Sequence, residues 1–243
     1  MKATIRNNFI LFFVLTIFVF HPAITVSQTV RGNGNVVVLE RNAEDFTGIV
    51  AKGKFDLKIT QGNSNKIEVK TDENLQKYIL ADLKKDIITI TVPEIIKKAK
   101  ALEIIITVKN LKSLIALGSV NIFIDSLKTD KADIFLSGMC DLNINIFCNE
   151  LIFEISDVGS AILSGKTDIF NARITDEANL DAFELVSNKC DLKTSGYSDV
   201  RVNVKDELTL RTTGIGNIYY KGNPVVNNTI NSGTTFIIKR KSD

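Results

Sequence analysis

Two aspartates that lie 19 residues apart, Asp157 and Asp176, are the side chains in this 243-residue sequence best placed to do chemistry. The chain repeats at nearly this period, so we expect them to lie side by side in successive repeats, with Glu177 next to one of them. Two close carboxylates can bind Ca²⁺, or they can share a proton and act as an acid/base pair. The alternative is that both point into solvent at a corner and splay apart.

A second candidate site is a row of side chains that recurs five residues after each repeat marker. Phe183, Arg201 and Tyr219 belong to this row, and alternation places the row on the outer surface. An aromatic ring, a guanidinium and a second ring stacked in neighbouring repeats could bind a glycan or a partner protein. Equally, another part of the chain could cover them.

A third recurring set is polar and occurs three residues after each marker. Its six members are Asn121, Asp141, Ile162, Asp181, Asp199 and Asn217, and all except Ile162 are Asp or Asn. Such side chains could form a row of calcium or sugar ligands. They also bond to nearby backbone and tolerate turn conformations, which favours a stacked turn ladder.

The repeat that positions these residues is marked by small turn residues. The markers are Gly118, Gly138, Gly159, Ala178 in place of a glycine, Gly196 and Gly214. Four residues before each marker the side chain is always aliphatic: Leu114, Ile134, Ile155, Ile174, Leu192 and Leu210. Short units of fixed period that share an apolar column are typical of a solenoid, in which each unit buries its apolar face only against its neighbours.

The pattern therefore predicts an all-β protein, a short right-handed parallel β-helix with an N-terminal β-rich capping region. The expected organisation is a signal peptide (1–27), a lead segment (28–45), an N-terminal β-region packed on the solenoid (46–111), six coils (112–222) and a C-terminal capping strand and tail (223–243). Within the N-terminal region, period-two alternation predicts strands, among them Phe55–Ile59 and Lys66–Lys70. A helical turn capped by Asp72 and an excursion at Pro93–Ala101, with a helical turn of its own, are expected between strands.

Export is predicted by the first 27 residues, which combine Lys2 and Arg6 with an apolar run at Phe9–Phe20 and small residues up to Ser27. The run is shorter than a membrane span needs, so cleavage is favoured over an uncleaved anchor, and no stable span would remain. Cleavage leaves 28 basic residues against 28 acidic ones, which gives no footprint for nucleic acid. We expect the protein in the periplasm, at the cell surface or secreted.

Catalytic and cofactor chemistry has little support in the sequence. The single histidine, His21, lies in the predicted signal peptide, so the mature chain has no histidine for a triad or a metal site. Cys140 and Cys190 fall in inward columns and Cys148 falls in a different one, so we expect no disulfide. We expect that the protein binds no cofactor and that it is not an enzyme.

Several of the repeated segments resemble one known family. Gly118–Ile122, Ser137–Leu142 and Ser195–Val200 carry the likeness, as does Asp157–Gly165. They resemble the head GIN domain family, whose members are called auto-transporter adhesins. The resemblance covers about residues 46–239 and implies an exported bacterial β-solenoid. It supplies no catalytic or binding residue, and Ala178 departs from the glycine usual at that turn.

The function predicted from these observations is a non-catalytic extracytoplasmic binding or adhesin-like module whose ligand is a glycan or a surface protein. Two alternatives stay open at this point. One is a polysaccharide-acting β-helix enzyme that uses the Asp157 and Asp176 carboxylates. The other is a purely structural protein of the cell envelope.

Overall fold

The computed structural model describes residues 29–241, with the side chains of residues 228–231 excepted. The chain is 72% strand and 3% helix, and its stacked parallel coils form a β-solenoid of about six turns. The predicted fold class is therefore confirmed, whereas the predicted signal peptide lies outside the described residues. In the described part of the chain, no helix combines the length and the apolar character that crossing a membrane requires.

The elements of the N-terminal half are mostly short. They are β1 (Val30–Arg31), β2 (Val36–Arg41), β3 (Gly48–Gln61), β4 (Lys66–Asp72), a 3₁₀ helix (Glu73–Tyr78), β5 (Leu80–Lys84), β6 (Ile87–Thr91), β7 (Ile96–Lys98) and β8 (Leu102–Val108). The strands of the repeats are longer. They are β9 (Ser113–Lys128), β10 (Lys131–Gly138), β11 (Asp141–Ile155), β12 (Ser160–Ile174), β13 (Asn179–Thr194), β14 (Tyr197–Thr212), β15 (Ile215–Lys221), β16 (Val225–Asn231) and β17 (Thr234–Lys239).

Fifteen of these strands form one sheet, whose main path runs in the order β17-β15-β14-β13-β12-β11-β10-β9-β3-β8-β4-β2. The other two, β1 and β7, pair with each other in a separate sheet. Pairing is parallel from β17 to β8 and antiparallel for β4 and β2. Each coil therefore pairs with the coils on either side, and equivalent residues repeat at about 4.8 Å along the axis. The parallel register also extends before Lys112, because β3 pairs with β9 over twelve positions, from Gly48↔Ser113 to Ile59↔Ile124.

The core is a set of inward ladders that run along the solenoid axis. One ladder is aliphatic throughout: Leu57, Ile122, Leu142, Ala161, Leu180, Val200, Ile218 and Ile237. All of these are buried except Ile237, which is half-buried in the last coil. The predicted aliphatic column from Leu114 to Leu210 is also fully buried. It is not one ladder, however, since Ile134 pairs with Phe153 and Ile155 pairs with Leu136.

The residues at the turns stack in one row, which we call the turn ladder, and this row differs from the predicted markers. Counting along the paired strands places these residues in one row: Gly53, Gly118, Gly138, Asp157, Asp176, Gly196, Gly214 and Gly233. Gly159 and Ala178 lie two residues later in their coils, and both are buried. Seven of the eight turn residues have φ between 63° and 122°. Asp tolerates this left-handed region better than most residues, so it can replace glycine here.

The two ends of the solenoid are built differently. At the N-terminal end, the first half of β3 pairs with β6 and its second half pairs with β8. Beyond β8 lie β4 and β2, which pair in the antiparallel direction. At the other end, β16 pairs with β14 and β17 pairs with β15, both in parallel. Within residues 29–241, no strand pairs with the outer edge of β16 or β17.

Two local expectations need correction. The turn after Asp72 is helical as predicted, but Asp72 makes no side-chain cap to it. Instead the buried Asp72 carboxylate accepts hydrogen bonds from the amides of Gly34 and Lys100. Residues 93–101 form no helix, but they begin with a single turn in which the Ile96 amide donates to the Pro93 carbonyl at 3.2 Å. The short strand β7 follows this turn and pairs in parallel with β1.

Candidate functional site

The predicted acidic pair belongs to the turn ladder. Asp157 and Asp176 are consecutive in that row, with φ of 66° and 63°. One carboxylate oxygen of Asp157 accepts hydrogen bonds from the Ser137 hydroxyl at 2.7 Å and from the Gly138 amide at 2.8 Å. The Asp176 carboxylate repeats this arrangement one coil further on, where it accepts from the Asp157 amide at 3.3 Å. Each carboxylate therefore caps the turn of the preceding coil.

The hydrogen bonds to Asp157 favour its ionised form, which does not suit Asp157 to the role of general acid. The hydrogen bond from the Ser137 hydroxyl, together with that from the Gly138 amide, holds the pKa of Asp157 below its usual range, against a small opposing effect of burial. A general acid requires the opposite, a carboxyl whose pKa is raised so that it keeps its proton. Both aspartates are exposed at a corner. Across residues 29–241, no three His, Cys, Asp or Glu side chains are grouped so that they could hold a metal ion.

The predicted outward row is only partly brought together. Arg201 and Tyr219 are paired residues of β14 and β15, and the Arg201 guanidinium lies 5.7 Å from the centre of the Tyr219 ring. Arg240 lies over the same ring at 4.7 Å. Phe183 is absent from this ladder, because residues 183–185 form a bulge in β13 that has no counterpart in β14. In β13 the partner of Arg201 is Asp181, and the Arg201 guanidinium contacts the Asp181 carboxylate at 3.3 Å.

Phe183 has its own cationic neighbour. The Lys221 ammonium lies 4.9 Å from the centre of the Phe183 ring. Phe183, Arg201 and Tyr219 are all half-buried, so none of them is a fully open platform. The sequence placed Arg201 and Tyr219 together correctly and missed both Asp181 and Arg240. Only the strand register could have shown that Asp181 lies beside Arg201, since the bulge leaves no clear mark in the alternation of apolar and polar residues.

The register defines two outward rows on one side of the solenoid, which together we call the ladder face. The first row contains the polar residues Asp56, Asn121, Asp141, Ser160, Asn179, Asp199 and Asn217, and it ends at Phe236 in the last coil. The second row contains Lys58, Phe123, Asn143, Ile162, Asp181, Arg201, Tyr219 and Ile238. Ile162 and Asp181 belong to the second row, so the predicted polar column was wrong at those two positions.

The first row is a hydrogen-bonded ladder along the axis. The Asn121 amide donates to Asp56 at 2.8 Å, the Ser160 hydroxyl donates to Asp141, and the Asn217 amide donates to Asp199 at 2.8 Å. These bonds fix the side chains in place, as expected for a stacked turn ladder. The remaining acceptors and donors of a fixed row lie at the surface, where a ligand can reach them.

A groove of about 360 Å³ lies on the N-terminal half of the ladder face. Phe123 and Ile162 line it and are 46% and 54% exposed, with Asn143 between them. At one end, Glu103 forms ion pairs with Lys58 and with Lys70, the latter at 3.0 Å. The hydrogen bond from Lys58 lowers the pKa of Glu103, although partial burial opposes this. The groove thus combines two exposed apolar side chains with the Asp56, Glu103 and Asp141 carboxylates and with neutral polar atoms of the first row.

The three cysteines lie apart from this face. Cys140 and Cys190 are buried, and burial raises the pKa of both thiols. The half-buried Cys148 thiol contacts the Thr167 hydroxyl at 3.4 Å, and burial raises its pKa as well. All three are free thiols. A raised pKa disfavours the reactive thiolate, so these residues behave as small core side chains.

Several solved structures share this fold. A "putative adhesin" from Bacteroides fragilis superposes with a TM-score of 0.83 at 21% identity, covering 87% of this chain and all of its own. A "putative adhesin" from Parabacteroides merdae gives 0.71 at 21% identity, covering 88% and 99%. A "putative lipid binding protein" from Parabacteroides distasonis gives 0.67 at 21% identity, covering 87% and 99%. At these identities the likeness concerns the fold alone.

The sequence comparisons give one family and no individual protein. Residues 45–224 match the family described as "Putative auto-transporter adhesin, head GIN domain". No curated protein matches the chain.

Proposed function

Because this chain belongs to the head GIN domain family of auto-transporter adhesins, we propose that it is a non-catalytic binding module that acts outside the cytoplasm. The family description and the related structures named as adhesins support a binding role. The predicted signal peptide and the neutral charge of the predicted mature chain support export and disfavour a polyanionic ligand.

The ligand we propose is a neutral glycan that lies along the ladder face. The observation that carries this proposal is the pairing of a fixed polar row with a row that contains Phe123, Ile162 and Tyr219. Sugar hydroxyls both donate and accept, which suits Asp, Asn and Ser side chains, while the C–H faces of sugar rings pack on apolar and aromatic groups. The groove of about 360 Å³ is in the size range of small-ligand sites.

The spacing of the rows suits an extended ligand more than a compact one. Equivalent positions recur about every 4.8 Å along the axis, so a linear chain can meet similar contacts in several coils. The Arg201 and Tyr219 stack continues the same face beyond the groove. A protein ligand would need a larger apolar centre than Phe123 and Ile162 provide.

A glycan array with the mature protein, residues 28–243, tests this proposal. We expect binding that falls about fivefold for Phe123→Ala, since a stacking contact contributes about 1 kcal/mol. Phe147→Ala is the matched control, because Phe147 is similarly exposed, at 41% against 46%, and lies outside the ladder face.

The array result is read together with a pull-down of surface proteins. An array without any positive glycan, or equal losses in both phenylalanine variants, contradicts the glycan proposal. A captured protein whose binding requires Phe123 would replace the glycan with a protein ligand. Hydrolysis of any bound glycan would contradict a non-catalytic role.

A further inference from the structure

A second surface of interest lies at the turn corner, away from the ladder face. The segment from Val92 to Ala101, which we call the strap, connects β6 to β8 and passes over the first turns of the turn ladder. Its ends are fixed: the Val92 amide donates to the Lys52 carbonyl at 2.8 Å, and the Lys100 amide donates to Asp72 at 2.7 Å. Its middle pairs with β1. The strap is therefore a fixed wall.

Beneath the strap is a groove of about 660 Å³. Three glycines of the turn ladder line it: Gly53, Gly118 and Gly138. A Cβ added at Gly138 would lie 2.2 Å from the Gly118 carbonyl oxygen, so a side chain is excluded at Gly138. Beside the glycines the groove is lined by apolar side chains: Val92, Pro93, Ile96, Leu117 and Met139.

The carbonyls of two of the three glycines already have hydrogen-bond partners. The Gly118 carbonyl accepts a hydrogen bond from the Met139 amide at 2.7 Å, and the Gly138 carbonyl accepts one from the Val158 amide. A peptide or a sugar in the groove would bring polar groups that these paired carbonyls do not serve well. An alkyl chain brings none, so the groove favours an alkyl chain.

The charges around the groove are mostly positive. Lys54 and Lys97 line it, and Lys98 and Lys100 line an adjoining hollow that also contains Lys54 and Lys97. Lys54, Lys97 and Lys98 are exposed, and in the described part of the chain none of these three forms an ion pair. Glu94 is the acidic residue that lines the groove, and Asp56 is the acidic residue that lines the hollow.

We propose that this groove binds a single-chain amphiphile with an anionic headgroup. The chain would lie over the glycines between Ile96 and Met139, and the headgroup would lie against Lys54 and Lys97. The groove differs from the groove on the ladder face, although the adjoining hollow borders that face at Asp56 and Asn121. The proposal does not rest on the glycan proposal. Docking of the whole corner onto an anionic bilayer is disfavoured, because Asp157, Asp176 and Glu177 are exposed further along the same corner.

Isothermal titration of the mature protein with dodecyl phosphate, below its micelle concentration, tests the proposal. Dodecyl maltoside supplies the chain with a neutral headgroup, and inorganic phosphate supplies the anion without a chain. We expect dodecyl phosphate to bind at least tenfold more tightly than either. We also expect its affinity to fall as salt rises, because exposed lysines are screened.

Two substitutions localise the binding. Met139→Asp should weaken dodecyl phosphate binding at least tenfold, because it places a carboxylate in the groove. Met139 is 64% exposed, so the fold should tolerate the change, and urea unfolding checks this. Ile215→Asp is the matched control, since Ile215 is also exposed and occupies the same place in a later coil, one residue after its turn.

Three results would overturn the proposal. The first is no binding of dodecyl phosphate. The second is equal affinity for inorganic phosphate or for dodecyl maltoside, which would identify an anion site or an unselective apolar groove. The third is an equal effect of Met139→Asp and Ile215→Asp, which would place the amphiphile elsewhere on the molecule.

Discussion

At the level of single residues, the turn ladder explains why aspartate appears where other coils have glycine. A left-handed backbone costs an ordinary L-residue about 1–2 kcal/mol, because Cβ crowds a carbonyl oxygen. Glycine avoids this cost, and aspartate offsets part of it with hydrogen bonds to nearby backbone. Asp157 and Asp176 additionally cap the preceding turn. A glycine there could not make those contacts.

Substitutions at Asp176 can separate the two effects. Asp176→Ala and Asp176→Gly both remove the carboxylate, so their difference reports the cost of the left-handed backbone. We expect the alanine variant to be less stable by about 1 kcal/mol in urea unfolding. At the neighbouring Glu177, which has no positive φ, alanine should instead be the more stable of the two. The same order at both positions would contradict this explanation.

At the level of strands, the inward ladders supply most of the packing. How much an inward side chain contributes to stability depends on whether its coil is central or terminal. Leu192 is fully buried between Ala172 and Leu210 of the adjacent coils. Ile237 lies in the last coil, is half-buried, and has Ile218 on one side. Removing a side chain leaves a cavity only where neighbours surround it.

The Leu192→Ala variant should therefore lose about 3 kcal/mol of unfolding free energy. Ile237→Ala should lose about 1 kcal/mol, because less apolar surface leaves water there on folding. Equilibrium urea unfolding followed by circular dichroism measures both. Similar losses would mean that the last coil is as well packed as the centre.

The strands also show how far sequence reasoning could reach. Alternation correctly identified which residues face inward, including every member of the column from Leu114 to Leu210. It placed two turns two residues late, at Gly159 and Ala178, because a shift of two leaves the inward and outward faces unchanged. Register therefore needed another signal. The residue before the turn offers one, since it is Ser or Thr in six of the eight turns: Ser137, Ser156, Thr175, Ser195, Thr213 and Ser232.

The candidate site was less predictable than the core for a related reason. A surface row depends on register and on bulges, and neither changes the apolar pattern that the core imposes on the sequence. Arg201 and Tyr219 were paired correctly because no bulge separates β14 from β15. Phe183 was misplaced because residues 183–185 have no partners in β14. The strap and its groove depend on the pairing of β7 with β1. These strands are three and two residues long, which is too short to give a recognisable alternation in the sequence.

At the level of the whole molecule, the contrast between the two ends should govern local stability. Antiparallel strands cover the N-terminal end, whereas β16 and β17 each pair on one side only among the described residues. In a solenoid each coil is stabilised mainly by its neighbours, so opening begins where a neighbour is missing.

Hydrogen exchange should consequently be graded along the axis. We expect amides of β17 to exchange fastest among the solenoid strands and those of β12 and β13 to exchange slowest. Exchange read by mass spectrometry on peptides from each coil measures this. Uniform protection from β9 to β17 would contradict the gradient and would indicate that the solenoid opens as a single unit.

The register that stacks the coils also gives the molecule a mechanical direction. The hydrogen bonds between coils run along the solenoid axis, from β2 at one end to β17 at the other. Tension applied to the last strand would load these bonds one after another, as in opening a zipper, instead of all at once as in shear. A molecule held at one end and pulled at the other would lengthen coil by coil, and its β9 to β13 coils would stay folded while the last coils extend.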